Sequence, residues 1–310
     1  MDISEIGQCI KSLAAEHGFL QVGFASVRSL DEEKSRLEEW LQKGHHGDMH
    51  YMAKNQSMRL NPAELVIGAK SVISLSYNYY RPINHEEGKP RISMYAQGVD
   101  YHKVIKKKLK LLWKEIQSRI DLKAQARYFV DSAPIMERQW AATAGLGWLG
   151  KNTLLIHPKH GSYFFLAEII CDLELLPDNP IQDHCGTCSR CIDACPTGAI
   201  EVDGYYLKAD QCISYLTIET KKDIPGDLQQ KLEDWVFGCD ICQQVCPWNK
   251  FSTPHTEPLF FTEPAHSSWT LDQWNNLTEG QFEEYFGKTP LKRAGYDKFK
   301  RSVKAVLEAQ

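Results

Sequence analysis

No apolar run in this 310-residue chain approaches the ~18 residues that a bilayer-crossing helix requires. The longest, around Ser71–Tyr80 and Tyr163–Ile170, are strand-sized. The start, Met1-Asp2-Ile3-Ser4-Glu5, lacks the basic n-region of a secretory leader. Both absences predict a cytoplasmic protein with no membrane partner. Neither sign of charge dominates, since 36 Lys+Arg against 40 Asp+Glu leave −4, so only a local patch could bind a polyanion. No period of 20–50 residues marks a solenoid. With 43% hydrophobic and 25% charged residues, the composition excludes a disordered or collagen-like chain.

Cysteine is what the chain concentrates: ten in all, eight of them between Cys185 and Cys246. In a reducing compartment such a cluster more often holds metal than disulfides. Cys185-x2-Cys188-x2-Cys191-x3-Cys195-Pro196 is the bacterial ferredoxin run, in which three thiolates cap one [4Fe–4S] cube and the fourth serves the other. A shorter run follows at Cys239-x2-Cys242-x3-Cys246-Pro247. The crossing rule assigns Cys246 to Cys185, Cys188 and Cys191, and Cys195 to Cys239 and Cys242. Val236 stands where a symmetric ferredoxin would place the last cysteine, so Cys212, the spare thiol of the module, becomes the eighth ligand. Zinc also uses Cys-x2-Cys pairs, but has no use for two Cys-Pro endings or a triply spaced run. Cys9 and Cys171 lie far outside and read as buried, inert thiols.

Around this module the pattern mixes helices and strands. Helices are expected from Ile3 toward Gly18, over Asp31–Lys43, over Tyr101–Ile120 and over Ile135–Ala144, the last with Pro134 at its start. Strands are expected at Phe19–Val27, Ser71–Tyr80, Arg127–Val130, Thr153–His157 and Tyr163–Cys171. The resulting class is α+β, with an α/β-like first domain and a ferredoxin-like module inserted or appended. Three parts are expected: 1–176, a two-cluster module at 177–250 entered through the Pro177–Pro180 linker, and a 251–310 segment ending in a basic helix.

Several motifs lie outside the cysteines. Gly145-Leu146-Gly147-Trp148-Leu149-Gly150-Lys151-Asn152 lacks the spacing of a nucleotide phosphate loop, and reads as a tight turn or a close backbone approach. Asp131, at a strand's carboxyl end, is a proton-donor candidate or a turn residue. Asp100-x-His102 suggests a cobalamin histidine-ligand motif, but Ile105 replaces its glycine, which leaves His102 as a solvated or hydrogen-bonded helix residue. Two basic patches, Lys103 to Lys114 and Lys292 to Lys304, are solvated faces or phosphate-binding surfaces for RNA.

Together these segments resemble the epoxyqueuosine reductase family. The resemblance is carried by Arg59-Leu60-Asn61-Pro62, Tyr95-Ala96-x-Gly98-x-Asp100-Tyr101-His102, Val130-Asp131-Ser132-Ala133-Pro134 and Gly147–Asn152. It continues through Cys212–Glu219, Gly238-Cys239-Asp240-x-Cys242-Gln243 and Leu291-Lys292-Arg293-Ala294-Gly295, in order along nearly the whole chain. The family implies a cobalamin-dependent enzyme, related to reductive dehalogenases, that reduces the epoxide of epoxyqueuosine at the tRNA wobble position. It implies two [4Fe–4S] clusters feeding cobalamin, Asp131 as the acid, and corrinoid contacts from Arg59, Tyr95, Asp131, Lys151, Asn152, Ser214, Asp240 and Gln243. The implied partners are tRNA and an electron donor, with the protein a monomer. Many members continue into a helical-repeat domain after the Lys-Arg-Ala-Gly segment, whereas this sequence stops at Gln310. The alternatives are a corrinoid iron–sulfur reductase of a small molecule and an electron-transfer protein without a substrate site.

Overall fold

The computed structural model describes residues 1–83, 86–121, 123–261 and 265–309. In chain order the first half holds α1 (Ile3–Glu16), β1 (Gln21–Ser26), α2 (Asp31–Gln42), α3 (Gln56–Leu60), β2 (Ser71–Asn78), β3 (Arg91–Ile92), α4 (Tyr101–Ile120), β4 (Ala126–Phe129), α5 (Glu137–Thr143), β5 (Trp148–Leu149), β6 (Leu155–Ile156) and β7 (Phe164–Cys171). The second half holds α6 (Arg190–Asp193), α7 (Ile213–Ile218), α8 (Gly226–Gln229), β8 (Trp235–Phe237), α9 (Ile241–Gln244), α10 (Leu271–Asn275), α11 (Glu279–Phe286), α12 (Leu291–Ala294) and α13 (Tyr296–Ala309). Among the described residues, no helix is long and apolar enough to cross a membrane.

An antiparallel sheet of order β1-β2-β7-β4 forms the centre. Its alternation sends Ile73, Leu75, Tyr77, Phe165, Ala167 and Ile169 to one face, where α1 and α4 cover them. Val72 and Ile170 face the other side, against Trp140 and Ala141 of α5. Helix α4 buries Ile105, Leu109, Leu112 and Ile116, at roughly 1.5–3 kcal/mol each. Asp100 caps its start, accepting the His102 N–H at 3.1 Å. A second core joins Ile92 and Ala96 to Leu216, Trp235, Phe237, Trp274, Phe299 and Val303, with β3 and β8 paired in parallel. The architecture is α+β with an appended cluster-binding module.

Three local expectations change. Helix α5 starts at Glu137 rather than at Pro134, because Asp131 takes a left-handed φ of 58° and residues 131–136 form a bent loop. The glycine motif is a small hairpin, β5 with β6. A Cβ on Gly147 would stand 2.3 Å from the Ile156 carbonyl oxygen, so the close approach is internal packing. The Pro177–Pro180 segment is pinned rather than loose: Asp178 accepts from the Phe24 N–H at 3.0 Å and from Lys11 Nζ at 2.5 Å.

Candidate active site

Cys185, Cys188, Cys191 and Cys246 line one cavity of about 300 Å³. Trp148 Nε1–H reaches the Cys185 Sγ at 3.5 Å, and Lys151 Nζ donates to the carbonyls of Gly186 and Cys188 at 2.8 and 3.1 Å. Burial, reinforced by Cys185, Cys246 and Cys188, pushes the Cys191 thiol up to about 11. Cys195, Cys212, Cys239 and Cys242 form a second, deeper group. Burial raises the thiols of Cys212, Cys239 and Cys242, and Cys195 lies close enough to add to each shift. The fold thus gathers the eight thiols into one region, with Cys185, Cys188, Cys191 and Cys246 around the cavity and the others close behind, where Cys191 and Cys195 both bear on Cys242. Among the described residues no three His, Cys, Asp or Glu side chains close on a single point as one metal ion requires. Four thiols spread around a cavity suit a cube.

The second group leads toward a cleft. Gly238, at φ 68°, packs so tightly that a Cβ would lie 2.2 Å from Ser93 Oγ and 3.4 Å from the Tyr95 ring. Beside Cys239, fully buried Asp240 accepts the Met94 N–H at 2.8 Å, and burial still pushes its carboxyl up to about 6. Burial raises the Tyr95 phenol, and both Asp131 and Asp240 add to the shift, so Tyr95 lies between the thiols and Asp131.

The Asp131 side chain is 60% exposed, and desolvation is still the largest influence on its carboxyl. Its Oδ2 accepts from Tyr101 Oη and from His102 Nε2, both at 3.0 Å. The other imidazole nitrogen, Nδ1, faces Asp100 Oδ1 at 2.6 Å. Two carboxylates on opposite ring nitrogens demand an imidazolium donating to both. Burial opposes that charge, but Asp100 and Asp131 outweigh it and raise the His102 pKa. Burial would raise Asp131; His102, Tyr101 and Arg293 hold it below the usual carboxylate range. His102 is thus the hydrogen-bonded helix residue that the sequence offered, held between two carboxylates, with the shared proton favoured on its ring. The signal was the Asp100-x-His102 spacing across a helix cap.

Arg59 is buried, donates from Nη2 to the Tyr51 carbonyl at 3.0 Å, and among the described residues leaves Nε without a partner; Tyr51 in turn feels Glu219 and Asp131. Such an orphaned buried donor suits a polar or anionic group entering the cleft, as do its Tyr51 and Tyr95 walls. Ser214 lies half-buried in α7 after Cys212. Lys151, Asn152 and Gln243 serve the protein interior: Asn152 Nδ2 donates to the Cys242 carbonyl at 3.4 Å, and Gln243 Nε2 donates to the Ser162 carbonyl and hydroxyl at 3.0 and 3.1 Å.

The two basic segments part company. Lys103, Lys106, Lys107, Lys110 and Lys114 are exposed along α4. In the other, Lys298 donates to the Ile218 and Glu219 carbonyls, Lys300 to the Asn275 and Leu277 carbonyls, and Arg301 to the Leu216, Thr220 and Lys222 carbonyls. Lys292 pairs with Glu283, and Arg293 Nη2 donates to Ser132 Oγ at 2.9 Å beside Asp131. Half of this second patch, Lys298, Lys300 and Arg301, is spent on main-chain carbonyls, while Lys292, Arg293 and Lys304 stay exposed.

Two family models match the chain: a 4Fe-4S double cluster binding domain over residues 184–249, and Epoxyqueuosine reductase QueG, DUF1730, over residues 59–132. Curated proteins named epoxyqueuosine reductase match at 50% identity in Cyclobacterium marinum (96% of this chain, 95% of the relative) and at 38% in Escherichia coli (99% and 82%). A crystal structure of epoxyqueuosine reductase with an epoxyqueuosine-modified tRNA-Tyr stem loop superimposes with a TM-score of 0.88 at 30% identity, covering 99% of this chain and 82% of that one. A catabolic reductive dehalogenase shares the fold at a TM-score of 0.50 and 16% identity, over 80% of this chain and 32% of its own.

Proposed function

The chain belongs to the epoxyqueuosine reductase family, an oxidoreductase family, and on that premise we propose that it reduces the epoxide of epoxyqueuosine at the tRNA wobble position to the alkene of queuosine. The net change is epoxide plus two electrons and two protons to alkene plus water, so the protein must deliver both. The reading is carried by the Asp100–His102–Asp131 chain, which opens on a cleft backed by the deeper thiol group.

Cys185, Cys188, Cys191 and Cys246 would hold one cube, Cys195, Cys212, Cys239 and Cys242 the other, and the cleft a cobalamin touched by Arg59, Tyr95, Asp131, Ser214 and Asp240. Bound there, the cubes supply single electrons and the corrinoid supplies a low-valent metal centre able to pass them to carbon. On this reading the set that lines the cavity would take electrons in, and the set that includes Cys239, beside Asp240, would pass them toward Tyr95 and Asp131. Lys151, Asn152 and Gln243 are better read as braces of the cluster module than as corrinoid contacts.

The protein's remaining task is the proton. With the cleft open, Asp131 is ionised and His102 charged. Filling the cleft removes the water around Asp131, and desolvation raises a carboxyl. The His102 Nε2 proton then moves to Asp131 Oδ2, 3.0 Å away, and from there to the departing oxygen; a second proton, taken up by His102 from solvent, follows the same route so that the oxygen leaves as water. The exposed lysines of α4, whose first turn carries His102, offer a phosphate-binding stripe for the tRNA in the cytoplasm.

The test is anaerobic reconstitution with iron, sulfide and cobalamin, followed by reductant and tRNA bearing epoxyqueuosine. Mass spectrometry of the digested nucleosides should show loss of one oxygen, dependent on cobalamin. No conversion despite intact clusters and bound cobalamin would instead favour a small-molecule substrate in the same cleft.

A further inference from the structure

Behind the loop that carries Asp131 lies a pair of carboxyls with no part in the chain described above. Glu137, the first residue of α5, accepts the Asp131 backbone N–H on Oε1 at 2.5 Å. Glu168 projects from the middle of β7, where Phe129 of β4 and Ser74 of β2 are its cross-strand neighbours. It is 0% exposed, and among the described residues neither of its oxygens meets an N–H or O–H donor. The nearby Ser74 hydroxyl, also fully buried, makes no hydrogen bond to it.

Helix α5 packs on β7, which brings the Glu137 carboxyl to the buried, donor-free Glu168 carboxyl, and each bears on the other's ionisation. Two carboxylates are acceptors only, so a contact between them in a dry interior holds only if a proton lies between them. Burial is the largest influence and drives both up, Glu137 to about 7, and Asp131 pushes both the same way; Glu137 raises Glu168 further, while the Glu168 side chain lowers Glu137, as a proton held on Glu168 and donated to Glu137 requires. The other charged groups facing the pair do not neutralise it. His102 on α4 is committed to Asp100 and Asp131. The Arg138 guanidinium, on α5 itself, turns to the Thr153 carbonyl and hydroxyl at 2.5 and 3.2 Å.

Asp131 also sits in a left-handed conformation, φ 58°, which a non-glycine residue keeps only when its surroundings hold it there. Its N–H is held by Glu137, its carbonyl accepts the Ala133 N–H at 2.9 Å, and the side chain of the next residue, Ser132, is held by Arg293. We propose that Glu137 and Glu168 form a proton-sharing latch: Glu168 anchors Glu137 through the shared proton, and Glu137 fixes the main chain of Asp131 so that its carboxyl faces the cleft. Both are positioning residues, and the role assigned to them rests on the reading of Asp131 given above.

The latch makes distinct demands on distinct substitutions. Glu168→Leu leaves Glu137 without its anchor. Glu168→Gln keeps one, since the amide N–H can donate to Glu137 without a shared proton. In the reconstituted enzyme, Glu168→Leu should lower kcat by about 10- to 100-fold with KM nearly unchanged, as expected for a misplaced group. Glu168→Gln should restore most of that loss. Without tRNA, deuterium uptake over residues 131–136 should rise in Glu168→Leu and stay low in Glu168→Gln. The infrared carbonyl stretch of a protonated carboxyl should persist in the wild type at pH 7, where ordinary carboxyls are ionised, and weaken in Glu168→Gln. Unchanged exchange over 131–136 in Glu168→Leu, or no protonated-carboxyl band for Glu168→Gln to remove, overturns the latch. Those two readouts need no substrate, so they separate its failure from a failure of the epoxyqueuosine assignment.

Discussion

The cluster module and the cleft wall are built on opposite plans. Seven of the eight cluster thiols come from two short cysteine runs, and Cys212 lies between those runs. The surroundings of Asp131 gather Tyr51, Arg59, Tyr95, Asp100, His102, Glu219 and Arg293 from segments more than 200 residues apart. Metal ligands tolerate little variation in geometry, so a local spacing can encode them. A proton path needs only that donors and acceptors meet, and any elements that the fold brings together can supply them.

The sharpest way to break this contrast is Cys212→Ala, the one ligand assigned outside the runs. Turnover should vanish and the iron content fall by half; two complete cubes per chain in that variant would remove Cys212 from the set. Next is Asp131→Asn, expected to lower turnover by about 10²–10⁴-fold while cluster absorbance and cobalamin binding stay intact. Near-normal turnover would leave the cleft wall without an acid.

His102→Gln tests where the proton resides. In the wild type, turnover should fall as pH rises through the raised His102 pKa, because the imidazolium is lost. The variant should be slower by about 10²-fold and lack that limb; an unshifted limb would assign it to another group. The same pair shapes stability. A raised histidine pKa contributes below about pH 6.5, and the contribution is lost as pH rises through the raised value. The depressed Asp131 contributes above about pH 4, and its share is lost as pH falls through the lowered value. Thermal melts of wild type and His102→Gln should therefore converge toward alkaline pH.

The smallest effects separate the two basic segments. Lys107→Glu should weaken tRNA binding and flatten its salt dependence without changing the melting temperature. Arg301→Ala should do the reverse. It uncaps the Leu216, Thr220 and Lys222 carbonyls at a cost of about 1–3 kcal/mol, and leaves RNA affinity unchanged. Equal losses of RNA affinity in both would restore the second patch as a binding surface.

Much of the fold was legible because periodicity is local. Helix α4 spans the residues its apolar spacing predicted, and β1, β2, β4 and β7 fall within a few residues of expectation. Less legible was whatever depended on a distant partner. Pro134 looked like a helix start, but the left-handed turn at Asp131 delays α5 to Glu137. The glycine motif signalled close approach without saying that its neighbour is β6. The lysines and arginines of α13 spelled a basic face, and nothing in that stretch indicated that carbonyls of α7 would absorb them.

The sequence by itself determined the chemistry that is covalently spaced: the cysteine runs, the helices and strands, and the family motifs, because ligand geometry and backbone periodicity act over a few residues. Tertiary structure alone decided the protonation. Whether His102 carries a charge, whether Asp131 gives it up, and whether Glu137 and Glu168 share a proton depend on distances across elements and on how much water each group loses. Neither quantity exists until the chain has folded.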